Sequence, residues 1–340
     1  MEAPPDVAAL RAWAAGRLPD LDGPVSVHRF DAGQSNPTFR LDTEAGAYVL
    51  RRKPSGTLLP SAHAIEREFR VQSALARTAV PVPRMRLLCE DSGVIGSAFY
   101  VMDHVPGRSF RDPRLPELPW AERGAILDAM GAALAAIHAV DLAAAGLEDY
   151  GPARDYYARQ IDRWTRQYRA SETARIAEME ELIAWLGTAS PPADGRRALV
   201  HGDYRIDNLL FAEGAPRVAA VLDWELSTLG HPSADLGAVL MQWRMPPGPD
   251  GRGLAGVDRA AEGLPSDAAF VDAYCARLGL AGVDRLGFCV AFAFFRMAAI
   301  LQGVARRGLA GNAANPARAA VLGAMVPAFA RGGLDAAREG

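Results

Sequence analysis

Along the first hundred residues the apolar positions come in short bursts. Residues 7–18 space Val, Leu and Trp at helical intervals and predict an opening helix. Residues 25–30 predict a strand. Residues 31–38, small and polar, are expected to form a hairpin turn, with Phe39-Arg40-Leu41 following it. Ala45-Gly46 then turns the chain into a strand over residues 47–53. Alternation places Ala47, Val49, Arg51 and Lys53 on one face of that strand. After a loop at 54–60, Ser61 is an N-cap candidate for a helix running to about residue 76. At about 100° per residue, Glu68 falls within the arc of Ile65, Phe69, Gln72 and Leu75, whereas Glu66 lies at its edge. An inward carboxylate needs a cation, because an unpaired buried charge is costly. Arg51 or Lys53 on the preceding strand is the natural partner. Two further strands, 85–89 and 98–102, flank the turn at Asp91-Ser92-Gly93.

Beyond residue 107 the pattern changes to long helical stripes, over 120–140 and 154–186. Next comes a short apolar run, a polar loop, and a second apolar run: Leu199-Val200-His201-Gly202-Asp203-Tyr204-Arg205-Ile206-Asp207-Asn208-Leu209-Leu210-Phe211. Two short strands flanking this loop would present Asp203 and Asn208 from one rigid edge. A further apolar run ends in Leu222-Asp223-Trp224-Glu225. More helices are expected over 233–243, 267–278, 285–306 and 316–330, with a Pro- and Gly-rich loop or lid over 244–265. The expected class is α+β. Residues 1–102 form an N-terminal antiparallel sheet lobe with one inserted helix, 103–107 a hinge, and 108–340 a larger, mainly helical lobe.

Composition narrows the function. The chain has 340 residues and a formal net charge of −3, which makes no electrostatic case for nucleic acid. Lys53 is the single lysine, as codon bias toward arginine would produce. Cys89, Cys275 and Cys289 are scattered and odd in number, which fits a reducing cytoplasm rather than a disulfide framework or zinc site. The start of the chain is acidic and Pro-rich, without a signal-peptide pattern. The most apolar stretch, 288–305, contains Arg296 and Gln302 and is expected to be a buried helix, not a membrane span.

Asp203, Asn208 and Asp223 are hard oxygen donors, better suited to magnesium and phosphate than to zinc. The 31–38 turn could offer backbone N–H groups to a phosphate or be a plain hairpin. A phosphate-covering turn, a strand cation, an inward Glu and a metal-binding loop are the parts that phosphoryl transfer from ATP requires. Other readings are a metallohydrolase built on His201, Asp203, Asp223 and His231, and a non-catalytic nucleotide-binding protein.

The motif His201-Gly202-Asp203-x4-Asn208 followed by Leu222-Asp223-Trp224-Glu225 resembles that of the aminoglycoside phosphotransferase/choline kinase-like superfamily. The likeness runs from about Val25 to the last helices. It is closer to the branch found as separate bacterial proteins and fused to acyl-CoA dehydrogenases in animals. That closer likeness is carried by Gly33-Gln34-Ser35-Asn36-Pro37-Thr38, Tyr48-Val49-Leu50-Arg51-Arg52-Lys53-Pro54, Leu58-Leu59-Pro60-Ser61-Ala62-His63, Gly230-His231-Pro232-x-x-Asp235-Leu236 and Phe295-Arg296-x4-Leu301-Gln302-Gly303. The resemblance implies a two-lobed protein-kinase-like fold using ATP and magnesium. It implies that Asp203 is the catalytic base and that Asn208 and Asp223 hold magnesium. Ser35 and Asn36 would lie in the phosphate-covering turn, and the backbone of Asp103 and Val105 would meet adenine. Glu68 would brace the strand cation. His201 and Asp235 would support the loop, with Arg205 and Glu225 near the site. The family strand often carries a phosphate-binding lysine where Arg51 stands, so Arg51 is the expected clamp and Lys53 the fallback. The implied acceptor is a small-molecule hydroxyl, in the close branch a hydroxyacyl-CoA or related hydroxy acid, with a pathway link to an acyl-CoA dehydrogenase. The alternative is an aminoglycoside or amino-alcohol acceptor. Arg244, Arg252 and Arg259 are expected to be solvated loop charges in preference to contacts for a CoA phosphate or carboxylate.

Overall fold

The structure is a computed structural model and describes residues 3–30, 36–54, 64–152, 155–248, 252–311 and 315–339. The chain forms two compact units. Unit 1 comprises Met1–Arg108, Ala143–Leu147 and Leu209–Ser227; unit 2 comprises Ser109–Leu142, Glu148–Asn208 and Thr228–Gly340.

Unit 1 holds α1 (Val7–Ala14), β1 (Ser26–Arg29), β2 (Thr38–Thr43), β3 (Gly46–Arg52), α2 (Ile65–Leu75), β4 (Met85–Cys89) and β5 (Phe99–Asp103). The five strands form one antiparallel sheet in the order β1-β2-β3-β5-β4. Strand alternation sorts its two faces. Tyr48 and Leu50 of β3 join Phe39, Leu41, Phe99, Val101 and the α1 residues Leu10 and Ala14 in one buried cluster. Val49 joins Tyr100, Met102 and Ile65 of α2 in the other. Arg51, two residues beyond Val49, therefore shares the face that α2 covers. The same unit contains β7 (Leu209–Phe211) paired with β8 (Val218–Val221). The Ser61 cap expectation lies outside the described residues, and α2 begins at Ile65.

Unit 2 holds α3 (Trp120–His138), α4 (Tyr156–Ser171), α5 (Ala177–Thr188), β6 (Ala198–Val200), β9 (Thr228–Gly230), α6 (Ser233–Trp243), α7 (Asp267–Leu278), α8 (Leu286–Leu309), α9 (Pro316–Ala324) and α10 (Val326–Arg338). The helix α8 is long and apolar enough to cross a membrane, but 72% of its most apolar window is buried inside the protein. It packs against α4, α5, α6, α9 and α10.

Three expectations need correction. The stripe at 154–186 is two helices: Glu172 turns to an extended ψ of 132° and ends α4. Buried Gln302 of α8 captures the groups freed there, its Nε2 donating to Ser171 O at 2.9 Å and Thr173 Oγ1 at 3.0 Å. The stripe at 316–330 is also divided and runs further, into α9 and α10. Pro327 in the first turn of α10 has no N–H to continue α9. Finally, β6 and β7 do not form one edge. β6 pairs with β9, and β7 pairs with β8, in separate two-stranded sheets.

Candidate active site

In unit 1 the charged groups converge on Arg51. Its side chain is 12% exposed, and Nε lies 3.2 Å from Glu68 Oε2. Its Nη2 donates to Asp223 Oδ1 at 2.7 Å and lies 3.6 Å from Glu225 Oε2. The Glu68 side chain is 1% exposed. It also accepts from Asn36 Nδ2 at 3.1 Å and from the Tyr100 hydroxyl at 3.1 Å. Burial pushes the Glu68 carboxyl up to about 7, against the pull of Arg51, while Asp223 and Glu225 add to the rise. Burial works against the Arg51 cation, but Glu68, Tyr100 and Asp223 outweigh it and raise its pKa. Lys53 lies just past β3 and pairs with Glu66 at 2.9 Å, so the two cations have separate partners.

Asp223 follows β8 in a left-handed conformation, φ 65°, which an L side chain adopts at a cost. Its neighbour Trp224 is fully buried and anchors the turn through Nε1 to Val221 O at 3.0 Å. Asp103 ends β5; its N–H donates to Arg84 O at 2.9 Å and its carboxylate holds Arg86. Val105 makes no backbone hydrogen bond among the described residues. Ser35 lies outside the described residues, and Asn36 is buried.

In unit 2 the loop between β6 and the turn Ile206–Asn208 is held from below by Asp235, near the start of α6. Asp235 accepts from His201 N at 2.7 Å and Gly202 N at 2.8 Å. His138 Nε2 approaches the same carboxylate at 3.3 Å, and His138 Nδ1 meets the Tyr274 hydroxyl at 2.7 Å. Burial alone would raise the Asp235 carboxyl. The His138 contact, the two histidine side chains and the Gly202 N–H hold it below the usual carboxylate range. His201 is fully buried, and its Nδ1 accepts from Asp203 N at 3.3 Å.

Asp203 is partly exposed. Asn208 Nδ2 donates to Asp203 O at 2.8 Å and to Asp203 Oδ2 at 3.2 Å, which fixes the carboxylate. Arg205 lies 3.2 Å from Asp203 Oδ1 and 3.5 Å from Asp207 Oδ2. Arg252 reaches Asp207 Oδ2 at 2.8 Å. This overturns the expectation of solvated charges in the long loop. Arg244 pairs with Asp267 and Glu339, and Arg259 with Asp267. Arg259 also lies over the Trp243 ring.

The residues that the sequence reading did not select are His138, Tyr274, Asp207 and, as a contact to the loop, Arg296. Only Arg296 gave a signal, as a cation inside an apolar run.

A hydrolase-type metal site does not fit the histidines. His231 is engaged at both nitrogens, by Asp194 at 2.7 Å and Ser233 N at 3.3 Å, and His201 is buried on the loop backbone. Among the described residues, no three His, Cys, Asp or Glu side chains are grouped to hold a metal.

The family model for phosphotransferase enzymes matches residues 26–289. The chain belongs to the phosphotransferase enzyme family. Its fold is mixed helix and sheet and kinase-like. Among curated relatives, acyl-CoA dehydrogenase family member 10 of Mus musculus is 49% identical over 294 residues. That match covers 86% of this chain and 27% of the relative, so the chain spans about a quarter of its length. A crystal structure from Ralstonia eutropha, provisionally described as an aminoglycoside phosphotransferase, is 46% identical with a TM-score of 0.90 and covers 99% of both chains. A thermostable variant of an aminoglycoside phosphotransferase, in ternary complex with AMP-PNP and hygromycin B, shares the fold. Its TM-score is 0.58 at 20% identity, covering 96% of this chain and 99% of that one.

Proposed function

We propose that this phosphotransferase uses ATP and magnesium to phosphorylate a hydroxyl of a hydroxyacyl-CoA or related hydroxy acid. The observation that carries the transfer step is the fixed Asp203. Its carboxylate is held by Asn208, its N–H by His201, and its loop backbone by Asp235. A partly exposed carboxylate with its orientation set in advance is what a base needs to accept a hydroxyl proton. Positioning of this kind supplies much of the catalysis in phosphoryl transfer.

The donor sets suit magnesium. Asn208 spends its amide N–H groups on Asp203, and its Oδ1 has no hydrogen bond among the described residues. Asp223 meets Arg51 through Oδ1, and its Oδ2 likewise has no hydrogen bond among the described residues. Both oxygens are hard donors. Bound magnesium would neutralise charge on the ATP phosphates. In this reading Arg51, braced by Glu68, binds phosphate, with Asn36 at the same site. The Asp103 carbonyl and Val105 N–H hold adenine. The ATP part draws support from the relative solved with AMP-PNP. Three free, buried cysteines suit the cytoplasmic setting that belongs to the same reading.

The acceptor part draws support from the relatives named as acyl-CoA dehydrogenase family members, most of whose length lies outside the match. In this reading the enzyme would act in the same reaction sequence as an acyl-CoA dehydrogenase. An aminoglycoside acceptor is the second reading, favoured by the solved neighbour that holds hygromycin B. ATP consumption should be screened against hydroxyacyl-CoA esters of varied chain length and hydroxyl position, with hygromycin B and amino alcohols in parallel. A new phosphate ester on the acyl chain is expected by phosphorus NMR. Turnover only with the aminoglycoside or amino alcohols would replace the acceptor assignment.

A further inference from the structure

We propose that Arg296 is a positioning residue for Asp203, acting through the peptide bond that precedes it, with Trp164 as its shelf. The proposal rests on the reading of Asp203 as the base.

Arg296 is the only charged residue between Leu286 and Ala305. A cation in the middle of an apolar helix that is mostly buried carries a desolvation cost and needs a compensating contact. Its Nη2 donates to Gly202 O at 2.7 Å. The guanidinium carbon lies 5.6 Å from the centroid of the Trp164 ring, within cation–π range. Trp164 is itself fixed, nearly buried and with Nε1 donating to Gln160 Oε1 at 3.0 Å.

The peptide unit joining Gly202 to Asp203 is thus held at both edges. Its carbonyl accepts from Arg296, and its N–H donates to His201 Nδ1. Gly202 has φ 84°, in the region that favours glycine. Glycine permits this turn but does not hold it, because it lacks a side chain to restrict rotation. Asp235 fixes the peptide on the N-terminal side of Gly202 through the Gly202 N–H. Nothing in that contact sets the next peptide plane, and that plane directs the Asp203 Cα–Cβ bond. Arg296 fixes that plane at its carbonyl edge, opposite His201 at its N–H edge. Its planar fork can rest on the indole while donating in-plane, a geometry that lysine does not reproduce.

The test compares wild type with Arg296→Gln and Arg296→Lys by two measurements. The first is steady-state hydrolysis of magnesium-ATP, with water as acceptor, alongside Asp203→Asn. The second is amide hydrogen exchange of the segment 199–206. In Arg296→Gln, kcat is expected to fall about 10–100-fold, as for a small misplacement of a reacting group, with KM for ATP changed less than about twofold. Exchange in 199–206 should quicken while the thermal transition is retained, and Arg296→Lys should recover only part of kcat. Unchanged exchange, or faster exchange with unchanged kcat, would overturn the assignment. Loss of the thermal transition in both variants would make Arg296 a core residue and overturn it equally. An inactive wild type would count against the phosphotransfer reading, and the exchange measurement would still decide whether Arg296 holds the loop.

Discussion

Glu68 and Asp235 are both carboxylates removed from water, and their surroundings drive them in opposite directions. Asp235 has backbone N–H donors from His201 and Gly202 and a contact from His138. Those donors favour the ionised form enough to overcome burial. Glu68 shares one cation, Arg51, with Asp223 and Glu225, so burial prevails and its carboxyl rises from 4.5 to about 7. The folded state then holds the Glu68 proton more tightly than the unfolded chain does. Its stabilising contribution is complete below about pH 4.5 and is lost as pH rises through about 7. Glu68→Gln should remove up to about 1.4 kcal/mol per pH unit of downward slope in that window. Urea unfolding of both proteins between pH 4.5 and 8 tests this; parallel profiles would show that Glu68 does not titrate in the window. The inward aim of Glu68 was legible in the sequence because it depends on a local helical period. The partner of Asp235 was not, since His138 is 97 residues away and nothing local marks the pairing.

At the scale of elements, α6 owes its position to a close approach. A Cβ on Gly237 would meet Cys289 O of α8 at 2.6 Å and Cys289 C at 2.7 Å. Both are backbone atoms, so one helix must move. Gly237→Ala should cost about 1–3 kcal/mol of stability, as overpacking does. It should also lower kcat, because α6 carries Asp235. A urea midpoint equal to that of wild type would contradict the close approach. Helical stretches and four of the five strands of the N-terminal sheet were readable from period, whereas β2 was read only as the exit of a turn. The break at Glu172 was not, because it depends on Gln302 from another helix accepting the role of partner for Ser171 and Thr173. Nor was the separation of β6 from β7. Each strand has three residues, too few for alternation to indicate which partner it pairs with.

For the whole molecule, the two units divide the assigned roles. Unit 1 carries Arg51, Glu68 and Asp223, and unit 2 carries Asp203 and Asn208. The motif residues stood out in the sequence because they lie close together along the chain and resemble a family motif. Asp207 and Arg252 were not, since their pairing spans 45 residues. Substitutions in the two units should therefore have separable effects. Asp223→Ala should weaken magnesium-dependent ATP binding at least about tenfold, the scale of one lost charged contact of about 1.4 kcal/mol. Calorimetric titration with and without magnesium checks it, and an affinity unchanged in the presence of magnesium would remove Asp223 from the ligand set. The most direct measurement is turnover and ATP affinity of Asp203→Asn beside wild type, with magnesium-ATP and an active acceptor from the screen. A fall in kcat of about 10²–10⁴-fold with ATP affinity retained is expected of a lost general base. Turnover close to wild type would contradict the assignment of Asp203 as the residue that accepts the hydroxyl proton.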